Sequence, residues 1–168
     1  MSIGLSQTLH AQVGFRLGAH LGTARAKSQS SGFIVFDTGT KIGLSFTFFA
    51  ETGNEKVKFQ PELNYIQKGY TTRQFNGSAR NTITYLDVPL LVKVNVAHGN
   101  NTTFYLLSGI TPGYGLSGRG KANGQTDKLD WDREGFRRFD FGIPLGASVN
   151  MASPIGALVL DARYHFGI

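Results

Sequence analysis

The 168-residue chain contains no cysteine, which removes disulfides, thiolate metal sites and cysteine nucleophiles together. It has no run of about 18 apolar residues, so a transmembrane helix is excluded. No segment of useful length shows the 3.6-residue period, and almost no helix is expected. Proline is scarce at five residues. Four of them (Pro61, Pro89, Pro112 and Pro144) fall inside strand candidates, where each removes a ladder hydrogen bond, so bulges or strand-end irregularities are expected there. The start, Met1-Ser2-Ile3-Gly4-Leu5, lacks the basic residues and long apolar core of a signal peptide. If the chain belongs to a cell envelope, its N-terminus is expected to be a processed form. The net charge of +6 suits anionic partners. The basic residues are scattered, however, and show no recognition module, so nucleic acid is not an expected partner.

What is present is alternation. Phe59, Pro61, Leu63 and Tyr65 fall on one face of a segment whose other face carries Gln60, Glu62, Asn64 and Lys68. Leu86, Val88, Leu90, Val92 and Val94 oppose Tyr85, Asp87 and Lys93 in the same way. A period of two means strand. Seven such segments can be marked, at roughly 10–19, 40–50, 56–68, 82–96, 103–115, 136–150 and 155–166. The 22 glycines and 13 phenylalanines suit a β-rich chain with many turns.

The connections alternate in length. Short turns follow the second, fourth and sixth segments (Glu51–Glu55, His98–Asn101, Met151–Pro154). Long polar stretches follow the first, third and fifth, at about 20–39, 69–81 and 116–135. Membrane barrels have this asymmetry, with short periplasmic turns and longer external loops. Their faces also differ from those of a soluble sandwich, with lipid against the apolar side and a polar interior. The apolar face here includes Val13, Phe15, Leu17, Ile42, Leu44, Phe46, Leu106, Ile143 and Leu160. The other face offers Gln12, Arg16, Lys41, Ser45, Thr47, Lys58, Glu62, Asp87, Lys93, Asp140, Asp161, Arg163 and His165. Tyr65, Tyr114, Phe139, Tyr164 and Phe166 cluster at the loop ends of the apolar face, and Phe48 and Phe104 lie near the turn ends. They are the candidate aromatic girdle. Bacterial single-chain barrels close with an even number of strands. An eighth strand is therefore expected, from a truncated end or from Gly32–Phe36 in the first long connection.

Three stretches resemble a known family: Gln60-Pro61-Glu62-Leu63-Asn64-Tyr65, Tyr85-Leu86-Asp87-Val88-Pro89-Leu90-Leu91-Val92-Lys93, and Phe139-Asp140-Phe141-Gly142-Ile143-Pro144-Leu145-Gly146. They look like the Bacteroidetes outer-membrane β-barrel family, often called PorT-like. The final Ala162-Arg163-Tyr164 is similar to that family's arginine–tyrosine strand. The resemblance covers about residues 10–166. It implies an eight-stranded barrel in the bacterial outer membrane, and no particular reaction. The chain therefore divides into an N-terminal extension (1–9) and a barrel domain (10–168), an all-β, small antiparallel up-and-down transmembrane barrel.

An eight-stranded barrel is only wide enough for side chains to fill it. The inward charges Arg16, Lys58, Lys93 and Arg163 would meet Glu62, Asp87, Asp140 and Asp161 in a narrow, partly dry space where unpaired charge is costly. A salt-bridge plug that holds strand register is preferred over a conduction or proton path. On that reading Asp87→Ala destabilises the barrel by leaving a cation unpaired.

Other motifs carry less. Gly113-Tyr114-Gly115-Leu116-Ser117-Gly118 spells a dinucleotide fingerprint, but a loop and not a helix should follow it. Asp130-Trp131-Asp132-Arg133-Glu134-Gly135 resembles a calcium loop whose twelfth position, Phe141, cannot ligate. No catalytic residue, metal ligand or cofactor is assigned. Among the histidines only His165, near Asp161 and Arg163, sits in inward register, and no serine nucleophile is singled out for it. The long connections carry Arg25, Lys27, Arg73, Arg80, Arg119, Lys121, Lys128 and Arg133. Expected partners are outer-membrane lipid and lipopolysaccharide, and other envelope proteins reached through the long loops. The expected function is non-enzymatic: a structural, docking or surface-interaction role, including that of an accessory subunit in an envelope complex. Two alternatives stand beside it, a soluble calycin-like barrel holding an apolar ligand and a lipid-modifying outer-membrane enzyme.

Overall fold

Alternating segments become strands throughout. The computed structural model describes residues 12–22, 38–39, 41–74, 77–122, 125–128, 138–154 and 156–168. Ten strands form one antiparallel sheet, without a helix among the described residues. Eight are long: β1 (Gln12–Gly22), β3 (Lys41–Gly53), β4 (Val57–Gln74), β5 (Gly77–Asp87), β6 (Leu90–His98), β7 (Thr102–Ala122), β9 (Phe139–Ser153) and β10 (Gly156–Gly167). Two are short, β2 (Thr38–Gly39) against β4 and β8 (Gln125–Lys128) against β7. β5 and β6 are parted only by Val88-Pro89, and both run between β4 and β7. They are two halves of one pass, so the sheet makes an up-and-down meander β1-β3-β4-β5/β6-β7-β9-β10.

Two of the stretches expected as long loops are sheet for most of their length. β4 and β5 stay paired from Gly69↔Thr82 to Gln74↔Gly77, which makes 69–81 a tall hairpin. β7 runs on to Ala122, and β8 folds back on it from Ala122↔Gln125 to Arg119↔Lys128. The polarity of these segments suggested loops. Their threonines and Tyr70 suit strands, and above a membrane both faces of a hairpin are wet, which erases the apolar stripe. Residues 1–11, 23–37 and 129–137 lie outside the described residues, and with them the N-terminal extension, Gly32–Phe36, Trp131 and the calcium-like segment.

The opposite connections are tight. In the 53–57 turn Gly53 has φ +140°, a region that favours glycine. The Asn54 side-chain oxygen accepts the backbone N–H groups of Lys56 (3.0 Å) and Val57 (2.8 Å). Gly99 N–H donates to Thr102 O at 2.8 Å in the next turn.

Ladders are interrupted beside Pro61, Pro89 and Pro144, but the bulges expected at prolines lie elsewhere, between Thr84 and Tyr85 and between Asn95 and Ala97, and Pro112 stays in register with Phe141. Pro89 divides β5 from β6, and its carbonyl accepts Glu62 N–H at 2.8 Å. The β3–β4 ladder is interrupted between Phe49↔Glu62 and Thr52↔Phe59, beside Pro61, and the β7–β9 ladder between Ser108↔Leu145 and Thr111↔Gly142, beside Pro144, each resuming in the same register. There the Ser108 hydroxyl donates to the Pro144 carbonyl at 3.0 Å.

The sheet curls so that one face is concave and enclosed. β1 and β10, its outer members, run in the same direction, as the first and last of seven passes must. No ladder joins them, and no Cα of one comes within 8 Å of a Cα of the other. Side chains span the gap: Arg16 Nη1 on β1 lies 2.9 Å from Asp161 Oδ2 on β10.

Candidate functional site

Along β4 the inward positions Lys58, Gln60, Glu62 and Lys68, met in that order from the tight-turn end, are each a polar hub. Nearest the turns, Glu51 sits between two lysines, with Lys58 Nζ at 2.6 Å and Lys93 Nζ at 2.7 Å. The Tyr105 ring on β7 lies beneath both ammonium groups, 5.4 Å and 4.8 Å from its centroid, a range where the ring face attracts cations. In the middle, Glu62 accepts Arg163 through both carboxylate oxygens at 2.8 Å, and Arg16 at 3.0 Å. Asp161 faces the same two guanidinium groups, at 2.9 Å from Arg16 and 2.8 Å from Arg163. Gln60 joins the two groups by donating to Glu62 and accepting from Lys93 at 3.1 Å. Toward the long connections, Lys68 Nζ lies 3.1 Å from Asp87 and 2.7 Å from Asp140. That ammonium also sits 4.5 Å from the Tyr85 ring centroid.

The eight charges named from sequence therefore all face inward, and each has a partner of opposite sign. Sequence reasoning missed two members, Glu51 and Lys68. Both continue the polar parity of their strands, Glu51 after Ser45 and Thr47, and Lys68 after Glu62 and Asn64. Glu51 had been placed in a turn, so its signal was overlooked. With them the interior holds five cations and five carboxylates. Every one of the eight long strands supplies a charged member or, for β7, the Tyr105 ring.

Each of the three groups has a deeply buried member or linker. Lys93 is 0 % exposed, Gln60 1 % and Asp87 2 %. Buried charge at this density is tolerated only with such pairing. Gly113 makes room for part of it, since a Cβ there would come within 2.3 Å of Asp87 Oδ1. The glycine-rich Gly113–Gly118 segment lies wholly inside β7, and no helix follows it among the described residues. His165 pairs in register with Pro144 and is exposed. Among the described residues no cluster of three or more His, Cys, Asp or Glu is arranged to hold a metal.

The convex face is the reverse. Val13, Phe15 and Leu17 are each more than 70 % exposed, and Ile42, Leu44, Leu106, Leu145 and Leu160 are exposed beside them. The seven girdle candidates, Phe48, Tyr65, Phe104, Tyr114, Phe139, Tyr164 and Phe166, all lie on this surface. Tyr114 and Phe139 meet edge to face at 5.1 Å, as do Tyr164 and Phe166 at 4.6 Å. A soluble calycin-like barrel needs its apolar side chains inside, so the observed faces overturn that alternative. An unbroken apolar wall around a charged interior is the pattern of strands in lipid.

No curated protein and no solved structure matches the chain. The family model described as "Outer membrane protein beta-barrel domain" matches residues 5–168. With its apolar wall, its charged interior and this match over nearly its whole length, the chain belongs to the outer-membrane protein β-barrel domain family, and its place is the bacterial outer membrane.

Proposed function

We propose that this protein is a non-enzymatic barrel whose interior is a structural plug and whose working surface is its projecting external rim. The observation that carries this reading is the interior itself. Ten paired charges and two tyrosine rings occupy the space where a pore or a ligand would have to be. A conducting path needs mobile, hydrated groups, and these hold one another at 2.6–3.1 Å.

The rim supports the docking half of the proposal. A membrane strand needs about 9–11 residues, whereas β4 has 18 and β7 has 21. The β4–β5 hairpin and the β7–β8 ribbon therefore stand beyond the membrane. Arg73, Arg80, Arg119, Lys121 and Lys128 lie along them, which favours acidic surfaces of other envelope components. A PorT-like accessory role in an envelope complex fits this arrangement.

Planar-bilayer recording of the purified protein tests the plug, with no discrete channel openings expected. Steady single-channel conductance would overturn it. Co-purification from native membranes, with and without the residue 69–81 hairpin, tests the rim. Loss of a stoichiometric partner on trimming supports docking, and an unchanged set of partners counts against it.

A further inference from the structure

The outer wall changes character on one side of the barrel. Across β4, β5 and β7 the outward row Tyr65–Leu86–Tyr114 is apolar and aromatic. One step toward the rim the row reads Gln67–Thr84–Ser117, and the next contains Thr82 and Arg119. At about 3.3 Å per residue and a tilt near 40°, these rows stand roughly 5 and 10 Å above the aromatic row. That is the depth of lipid head groups. Tyr65, Gln67, Thr82, Thr84, Ser117 and Arg119 line a shallow concavity here, open to the outside. A register shift in β7 opposite Thr84/Tyr85 falls at this place, and a bulge of this kind bends its strand.

A second observation gives the sign of the ligand. Arg119 and Lys128 are direct cross-strand partners, both exposed. Like charges in that position repel, and no ion pair to either is found among the described residues. This like-charged rung beside a hydroxyl- and amide-lined hollow forms a receptor for an anion with several acceptor oxygens.

We infer that this hollow on the outer wall of β4, β5, β7 and β8 binds the phosphate-bearing head group of an outer-leaflet glycolipid. Arg119 and Lys128 take the phosphate, and Gln67, Thr84 and Ser117 offer hydrogen bonds to the neighbouring sugar. The lipid's acyl chains then run down over Tyr65, Leu86 and Tyr114. The site lies at the foot of the β7–β8 ribbon, at head-group depth, and its lipid occupant is separate from any protein docked on the rim above it.

Native mass spectrometry of the detergent-solubilised protein, titrated with diphosphorylated lipid A, tests this. One tightly retained lipid per barrel is expected, with the phosphate-free form of the same glycolipid held weakly. The R119A/K128A double variant should weaken retention about tenfold or more, from loss of two charge-assisted contacts. R119K/K128R, which keeps both charges, should retain most of it. Heat-dependent gel mobility reports folding of each variant. Should the double variant misfold, Lys128→Gln at exposed β8 is expected to give a severalfold loss alone. Wild-type retention in a folded charge-removing variant, or equal binding of the phosphate-free lipid, would overturn the inference. Displacement of the lipid by an equal concentration of inorganic phosphate would overturn the glycolipid as its occupant.

Discussion

Lys93 has no exposure at all, yet it carries a full charge in the wall of a membrane protein. Its ammonium is held by Glu51 at 2.7 Å, Gln60 at 3.1 Å and the face of Tyr105. Lys93→Met should lower stability in detergent by about 3 kcal/mol, the scale for breaking a buried pair from one side, read by urea denaturation. Asp87 illustrates how partners redistribute such losses. From sequence, Asp87→Ala was expected to leave a cation unpaired, but Lys68 keeps Asp140 at 2.7 Å. Removing Lys68 instead leaves Asp87 and Asp140 facing each other without a cation. Lys68→Met should therefore destabilise more than Asp87→Ala, and the reverse order of unfolding midpoints would contradict the pairing. The inward parity of these residues was readable from alternation alone. Their partners were not, because pairs such as Arg163 and Glu62 lie 101 positions apart and meet only when the sheet curls.

At the scale of the strand, close approach is as demanding as charge. A Cβ on Gly109 would sit 2.0 Å from the Leu90 carbonyl oxygen, and one on Gly146 2.2 Å from that of Ala162. Both obstacles are backbone and cannot step aside. Gly109→Val and Gly146→Val are expected to abolish or severely reduce the folded, heat-modifiable form, whereas Gly167→Ala, with nothing within 4 Å, should leave it intact. The edges make a further expectation. β1 and β10 each have a ladder on one side only, so their outer amides should exchange with deuterium sooner than those of β4, paired on both sides. Uniform protection across all strands would contradict the open seam. Strand positions were legible to within a few residues, because lipid on one side and charge on the other sharpen the alternation. The upper halves of β4, β5 and β7 were not. Outside the membrane both faces are polar, so the pattern that identifies a strand disappears while its hydrogen bonds persist.

For the whole molecule, the apolar convex surface and the neutral sum of the interior charges fix the environment. The protein should remain in the membrane fraction through high-salt and alkaline washing and come out only with detergent. Release by salt alone would mean that the exposed Phe15, Leu17 and Leu44 do not face lipid. Composition and periodicity by themselves determined an all-β chain, seven strand segments with an eighth strand expected, the side of each that meets lipid and the absence of thiol chemistry. These follow because burial in lipid acts on every second residue and leaves its record in the sequence. Only the tertiary structure decided which charges share a hydrogen bond, that the polar connections rise as paired ribbons, and that Arg119 and Lys128 stand side by side above the aromatic row. Each of these depends on register between strands, and register is a relation between distant segments that no single stretch of sequence contains.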